Sequence, residues 1–388
     1  MDKVFLRMEK EVREIQEGLA RIVVPAGSLI SEPHSKLPAF YNPKMRNNRD
    51  IAVLFTIAEG VRRIGEPMAG TGVRSIRIIL ENGNIEEAFI NDLKREAVKF
   101  IRENLRLNHI GGNTARVTRL EANLFNIIHS LPGNRVEYLD LDPYGTPAPF
   151  IYSSIMALRK RGVLAVTATD TFTLKGFKPE TAFVRYGVKI FKNMFPSEVA
   201  VRTLLYYISR VAASLEYGIE PLIAYTQRHY VRVYVRILRG PGKAKESQKR
   251  VGYIALCSRC PFWKVSDEEF REEKCPICSS KLRIMGPLWV GVLKDSETMS
   301  RILDMRDEAY WIEEESWKIL RRIAGEIDIV GYYDIPLLAS KLRRSPPSVS
   351  EVISSLREKG FKASRTVFST TGVKTDASLK ELVESFNP

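Results

Sequence analysis

Residues Arg62–Asn82 read RRIGEPMAGTGVRSIRIILEN. A short apolar run ends at Glu66, a turn of small residues follows, and SIRIILEN then has the apolar spacing of a helix. Strand, glycine turn and helix open a crossover unit, because parallel neighbours cannot be joined by a tight hairpin. The pattern continues outward. EEAFIND, ARVTRLEAN, VEYLDLD and GVLAVTATD read as further strands, spaced by segments long enough for crossover helices, and predict a mostly parallel sheet. After Asp92, residues Ala97, Val98, Ile101 and Leu105 make one helical face, with Gly111-Gly112 expected to stop the helix. Upstream, Ile51, Leu54, Phe55, Ala58 and Val61 predict a helix with Asp50 as its N-cap. Downstream, PLIAYTQ and YVRVYVRILR flank a short turn at His229 and predict a hairpin that closes the sheet antiparallel.

The chain has 388 residues, enough for two to three domains with cores of their own. It is 44% hydrophobic and 27% charged, which excludes wholesale disorder. Sixty Lys and Arg against 46 Asp and Glu leave a net charge of +14, a field that attracts polyanions, nucleic acid first among them. No apolar run approaches the ~18 residues of a membrane span, and the first twenty residues carry both signs of charge, unlike a signal peptide. A cytoplasmic protein without membrane attachment is expected.

The segment RGPGKAKESQKR, residues 239–250, combines glycine and proline with five basic residues and one acid, and reads as a mobile linker or loop. It sets an expected boundary between a domain over 1–240 and another over 241–388. A long charged helical region is expected from Ser296 to Glu326 and a strand over GPLWVGVL. Near the end, Asp334 is placed to cap IPLLASKL, and Ser348 with Glu351 forms a capping box opening VSEVISSLREK, which Gly360 ends. A strand FKASRTVF and a TTG turn follow, so residues 330–388 predict a winged-helix-like unit.

Four cysteines occur, as Cys257-x2-Cys260 and Cys275-x2-Cys278. Two such knuckles predict a four-cysteine zinc ribbon over 251–285; four thiolates with no histidine make a closed, structural site. An iron–sulfur cluster and paired disulfides are the alternatives. Arg259, Lys264, Lys281 and Arg283 could meet RNA phosphates there, and the five acids between Asp267 and Glu273 oppose it.

Gly70 and Gly72 let a ligand approach backbone at a helix N-terminus, and Asp92 stands twenty residues beyond Gly72 at a strand end, where an acid accepts hydrogen bonds from ribose hydroxyls. The dinucleotide pattern GxGxxG is absent, which shifts the reading from NAD to a nucleoside such as S-adenosylmethionine. The segment Asp140-Leu-Asp142-Pro143-Tyr144-Gly145-Thr-Pro147 falls at the carboxyl end of another strand. Aromatic amines are weak nucleophiles, so methylating one requires acceptors for its hydrogens. Asp142 can take one N–H, the Pro143 carbonyl the other, and Tyr144 offers a stacking face.

The DLDPYGTP segment resembles the amine-methyltransferase motif of the tRNA guanine-26 N2-dimethyltransferase family. FYNPKMRNNRD, EPMAGTGVRSIR, VTATDTFTLKG and RTVFSTTGVKTDA resemble further segments of that family, so the likeness runs over nearly the whole chain. It implies a Rossmann-like class I methyltransferase domain over 1–240. A C-terminal α+β tRNA-binding domain follows over 241–388. The implied cofactor residues are Arg49, Glu66, Gly70, Gly72, Arg74, Asp92, Glu121 and Ala122; Asp142, Pro143 and Tyr144 are catalytic, and Phe40 and Tyr144 pack on an extruded guanine. Glu66 and Glu121 stand where Asp is usual. The expected activity is transfer of methyl groups from S-adenosylmethionine to N2 of guanine 26 by a monomer bound to tRNA. The alternatives are another rRNA or DNA amine (adenine N6) methyltransferase and a non-catalytic nucleic-acid-binding protein.

Overall fold

The computed structural model describes residues 12–30, 37–269 and 274–386. Residues 1–11 of the charged N-terminal stretch, and Glu272 and Glu273 of the acid run, lie outside them. In chain order come β1 (Val12–Glu17), β2 (Ala20–Pro25), α1 (Arg46–Ala58), β3 (Arg63–Glu66), α2 (Val73–Asn82), β4 (Glu87–Asn91), α3 (Arg95–Leu107), β5 (Ala115–Thr118), α4 (Ala122–Ser130), β6 (Val136–Leu141), α5 (Ile151–Met156) and β7 (Leu158–Ala168). Then follow α6 (Thr171–Leu174), α7 (Pro179–Tyr186), α8 (Pro196–Ala213), β8 (Tyr217–Gln227), β9 (Tyr230–Arg239), α9 (Pro241–Gln248), β10 (Val251–Cys257), β11 (Trp263–Ser266), β12 (Leu282–Trp289), α10 (Ser296–Asp304) and α11 (Glu314–Gly325). The chain closes with β13 (Tyr333–Asp334), α12 (Ile335–Leu342), α13 (Val349–Glu358), β14 (Ala363–Thr366), β15 (Ser369–Thr375) and α14 (Leu379–Glu384).

The main sheet has the order β5-β4-β3-β6-β7-β9-β8. Strands β3 to β7 are parallel, and β8 with β9 is the expected antiparallel hairpin. The order reverses at β3: the chain steps outward to β4 and β5, then returns to β6 on the other side. Ligands in open α/β sheets bind outside the strand ends at such a switch. Among the described residues, no helix is long and apolar enough to cross a membrane.

The chain divides into two compact units: one of residues 1–143, 149–166 and 297–320, the other of 144–148, 167–296 and 321–388. In the first, the β1–β2 hairpin had no counterpart in the sequence reading. Asn104 of α3 holds its backbone, accepting from Val23 N at 2.7 Å and donating to Val23 O at 3.1 Å. In the second, β11-β10-β12 form one small sheet and β13-β15-β14 another. The latter, with α12 and α13, encloses a core of Ile335, Leu338, Val352, Leu356 and Val373, the winged-helix-like end. Asp334 caps α12, and the Ser348–Glu351 capping box opens α13.

Several local expectations are corrected. Asp50 does not cap α1, which starts four residues earlier after a 3-10 turn capped by Asn42; Asp50 is buried and bound to Arg77 at 2.6 Å. Helix α3 ends before Gly111, because His109 takes the left-handed conformation itself and its N–H bonds Arg106 O at 3.1 Å. The 239–250 segment is no loose linker. It holds α9, whose Ala244 and Ser247 are buried, and a Cβ on Gly218 would lie 2.2 Å from Lys243 O, so the missing side chain on β8 lets this helix dock by its backbone. The region Ser296–Glu326 is two helices, ARVTRLEAN is a strand only to Thr118, and the strand through GPLWVGVL stops at Trp289. The turn at the C-terminal hairpin falls before β15, so TTG lies inside that strand, where Gly372 leaves room for Thr366 Cγ2.

Candidate active site and metal centre

The loop after β3 turns through Gly70 (φ 57°) and Gly72 (φ 77°), and Gly72 starts α2. A Cβ on Gly70 would lie 2.5 Å from Phe40 O, which accepts Thr71 N–H at 3.2 Å, so Phe40 is held against this loop by its backbone. Asp92 fixes the other side: its carboxylate accepts Gly70 N–H and Lys94 N–H, each at 2.9 Å. Burial raises the Asp92 pKa against these backbone donors. Asn91, which sequence reasoning passed over, is fully buried and donates to both Pro67 O and Leu120 O at 2.9 Å, tying the loops after β3 and β5 together. Glu121 caps α4, accepting Asn123 N–H at 2.8 Å and Leu124 N–H at 3.1 Å, with Ala122 buried behind it.

From the first turn of α2, Arg74 reaches the end of β6. Its guanidinium meets Glu66 and Asp140 at 3.3 Å each, bonds Asn48 Oδ1 at 2.5 Å, and pairs with Asp142. Thus Glu66, Arg74 and Asp142 form one cluster at the switch between β3 and β6. Burial pushes the Glu66 carboxyl up to about 7, with Arg74 opposing and Asp140 and Asp142 adding to the rise. Pro143 is buried, and Tyr144 is 56% exposed.

Arg49 has other company. It is buried, makes two 2.6 Å bonds to Glu17 of β1 and donates to Asn42 O, with its guanidinium over the Tyr41 ring. Burial raises the Glu17 pKa, but Arg49 and Arg77 together with hydrogen bonds from Arg49 and Tyr41 outweigh it and hold the carboxyl down at about 2. Glu17 stands in no motif; its only signal is an acid closing the alternating run VREIQE before Gly18.

In the second unit, the Sγ atoms of Cys257, Cys260, Cys275 and Cys278 lie within 4.8 Å of one another. Neighbouring sulfurs are 3.4 to 3.6 Å apart, far beyond a disulfide bond and near the edge of a tetrahedron with ~2.3 Å metal–sulfur bonds. Arg259 and Cys260 N–H both point at Cys257 Sγ at 3.4 Å, the knuckle arrangement that stabilises a thiolate ligand. The residues fit a closed four-thiolate zinc site.

A parallel sheet with its switch at β3 and β6, a glycine loop at a helix N-terminus and an acid at the end of β4 define a nucleoside-binding α/β enzyme. The chain matches the family model for N2,N2-dimethylguanosine tRNA methyltransferase over residues 18–387, and it belongs to that family. It is 38% identical to the tRNA (guanine(26)-N(2))-dimethyltransferase of Methanopyrus kandleri, over 96% of each chain. It is 35% identical to the tRNA (guanine(26)-N(2)/guanine(27)-N(2))-dimethyltransferase of Aquifex aeolicus, over 95% of this chain and 94% of that one. Among solved structures, Trm1 from Pyrococcus horikoshii in complex with S-adenosyl-L-methionine superposes with a TM-score of 0.85 at 29% identity, covering 97% of this chain and all of that one.

Proposed function

We infer that this protein is an S-adenosylmethionine-dependent tRNA methyltransferase acting on the exocyclic N2 amine of guanine 26, giving N2-methyl- and N2,N2-dimethylguanosine. The observation that carries the reading is the placement of Asp142, paired with Arg74, at the β3–β6 switch beside the glycine loop. The donor set suits a nucleoside cofactor. Asp92 would accept the ribose hydroxyls, Glu121 and Ala122 would meet the adenine, and Glu66, Gly70, Gly72, Arg74 and Arg49 would line the rest, Arg49 also holding the Asn42 carbonyl. When bound, S-adenosylmethionine supplies an electrophilic methyl group.

The protein's own task is to present the amine. Asp142 accepts one N–H and the Pro143 carbonyl the other, which raises electron density on nitrogen and fixes its direction. Tyr144 and Phe40 pack on the faces of the extruded base. The released proton leaves through Asp142 or water. The second unit's ribbon holds structural zinc, and 241–388 is the proposed tRNA-binding domain after a catalytic domain of 1–240. The basic residues of 239–250 and Lys341 to Arg344 are phosphate contacts in this reading, and the protein works as a cytoplasmic monomer.

Incubating the protein with labelled S-adenosylmethionine and unmodified tRNA, then mapping the label, tests the assignment. Label on N2 of guanine 26, lost in Asp142→Ala, supports it; label only on DNA or on an adenine overturns it.

A further inference from the structure

The VTATDTFTLKG segment has no part in the chemistry above, yet the second unit ties it to the loop that follows Asp142. Gly145 N–H donates to Thr169 Oγ1 at 2.7 Å, and Thr169 N–H returns to Gly145 O at 2.9 Å. Asp170 accepts from Tyr186 OH at 2.8 Å and pairs with Arg185 at 2.7 Å. The same Tyr186 hydroxyl lies 2.7 Å from Thr146 Oγ1. Tyr144 and the α6–α7 segment therefore ride on one hydrogen-bonded scaffold.

That scaffold exposes aromatic surface. Phe172 is 68% exposed and Phe177 44%, with ring centroids 5.6 Å apart and planes tilted by 53°. Three Cα steps place Phe172 within about 11 Å of Thr169, and so next to the loop carrying Tyr144. Two large rings left in water on a scaffold this well bonded are a feature needing a partner. The surrounding charge says which. Lys175 and Lys178 alternate with the rings and make no ion pair among the described residues, Lys189 and Lys192 follow, and Asp170 is already neutralised by Arg185. Rings interleaved with unpaired cations suit a nucleobase and its phosphates; an apolar protein partner would not call for the lysines.

We propose that Phe172, buttressed by Phe177, is a stacking platform for the tRNA nucleobase beside the target guanine, with Lys178 at its phosphate. The proposal rests on the tRNA methyltransferase reading and adds a specificity surface to it. Base stacking of ordinary strength predicts a rise of about ten- to hundredfold in the tRNA Kd for Phe172→Ala. Phe172→Leu should lose as much, Phe172→Tyr should bind like wild type, and the Kd for S-adenosylmethionine should hold in all three. Lys178→Ala should reduce the slope of log Kd against log salt by about one, and Phe172→Leu should leave it unchanged. With 5-iodouridine at either neighbour of guanine 26, photocrosslinks should map to Phe172 or Phe177. Unchanged tRNA affinity in Phe172→Ala, or equal losses in Leu and Tyr variants, overturns the proposal. Wild-type protein that methylates no tRNA would instead strike the underlying reading.

Discussion

Replacing Arg74 with Met removes a cation that Glu66, Asp140 and Asp142 share. At the 3.3 Å contact with Glu66, charge centres about 4 Å apart in an effective dielectric near 20 attract by roughly 4 kcal/mol, or about three pKa units. Burial has already carried Glu66 from 4.5 to about 7, so without Arg74 its pKa should rise further, to well above neutral. A carboxyl whose folded pKa lies above its unfolded value stabilises the fold at low pH. That contribution is lost as pH rises, by about 1.4 kcal/mol per unit, until the folded pKa is passed. In the wild type the loss from Glu66 runs from pH 4.5 to about 7 and then stops. In Arg74→Met it continues, and between pH 7 and 9 the variant should lose about 3 kcal/mol more than wild type. Urea unfolding followed by tryptophan fluorescence at pH 7, 8 and 9 measures this. The double variant Arg74→Met/Glu66→Gln should abolish the divergence. Parallel stability curves for wild type and Arg74→Met, or a divergence that survives Glu66→Gln, would refute the charge argument.

Gly70→Ala forces a side chain onto a φ of 57° and 2.5 Å from Phe40 O; with about 1–2 kcal/mol of backbone strain plus the clash, calorimetry should show S-adenosylmethionine binding weakened at least tenfold, and an unchanged Kd would contradict the loop's role. Asp142→Asn should lower single-turnover methyl transfer by about a hundredfold or more while S-adenosylmethionine affinity stays within about threefold; equal losses in both would make Asp142 a cofactor residue instead. Because Glu17 is held at about 2 against an ordinary 4.5, its contribution is complete above pH 4.5 and disappears as pH falls towards 2. Glu17→Gln should therefore flatten acid unfolding over that window by up to about 3 kcal/mol. Metal analysis should find one zinc per chain, and Cys275→Ser should release it and lower the melting temperature without altering the Kd for S-adenosylmethionine.

Alternation and glycine turns made the parallel sheet readable, because β4, β6 and the second half of β7 are buried almost throughout and stand out as apolar runs between turn residues. The cysteine spacing was equally plain, since ligand geometry restricts sequence distance. The buried charges were not. Arg77, Glu17, Asp50 and Glu81 are charged residues that periodicity assigns to solvent, and only the three-dimensional pairing shows each satisfied by another. Glu66, Arg74 and Asp142 could be read separately as neighbours of one ligand; that Arg74 binds both acids directly comes from the return of β6 beside β3, a long-range event without local trace. Helix α9 was hidden for the opposite reason: its glycine- and proline-rich sequence has weak intrinsic helicity, and packing on β8 decides the outcome.

That docking of α9 through Gly218 also fixes the root of the four-cysteine ribbon. Strand β10 begins at Val251, three residues after α9 ends at Gln248, so the zinc module is joined to β8 by a braced strut. A tethered module sampling many orientations would lose that freedom each time it gripped a nucleic acid, and its effective concentration would depend on tether length. Here the orientation is chosen once, during folding. The ribbon behaves as a fixed ruler set out from β8.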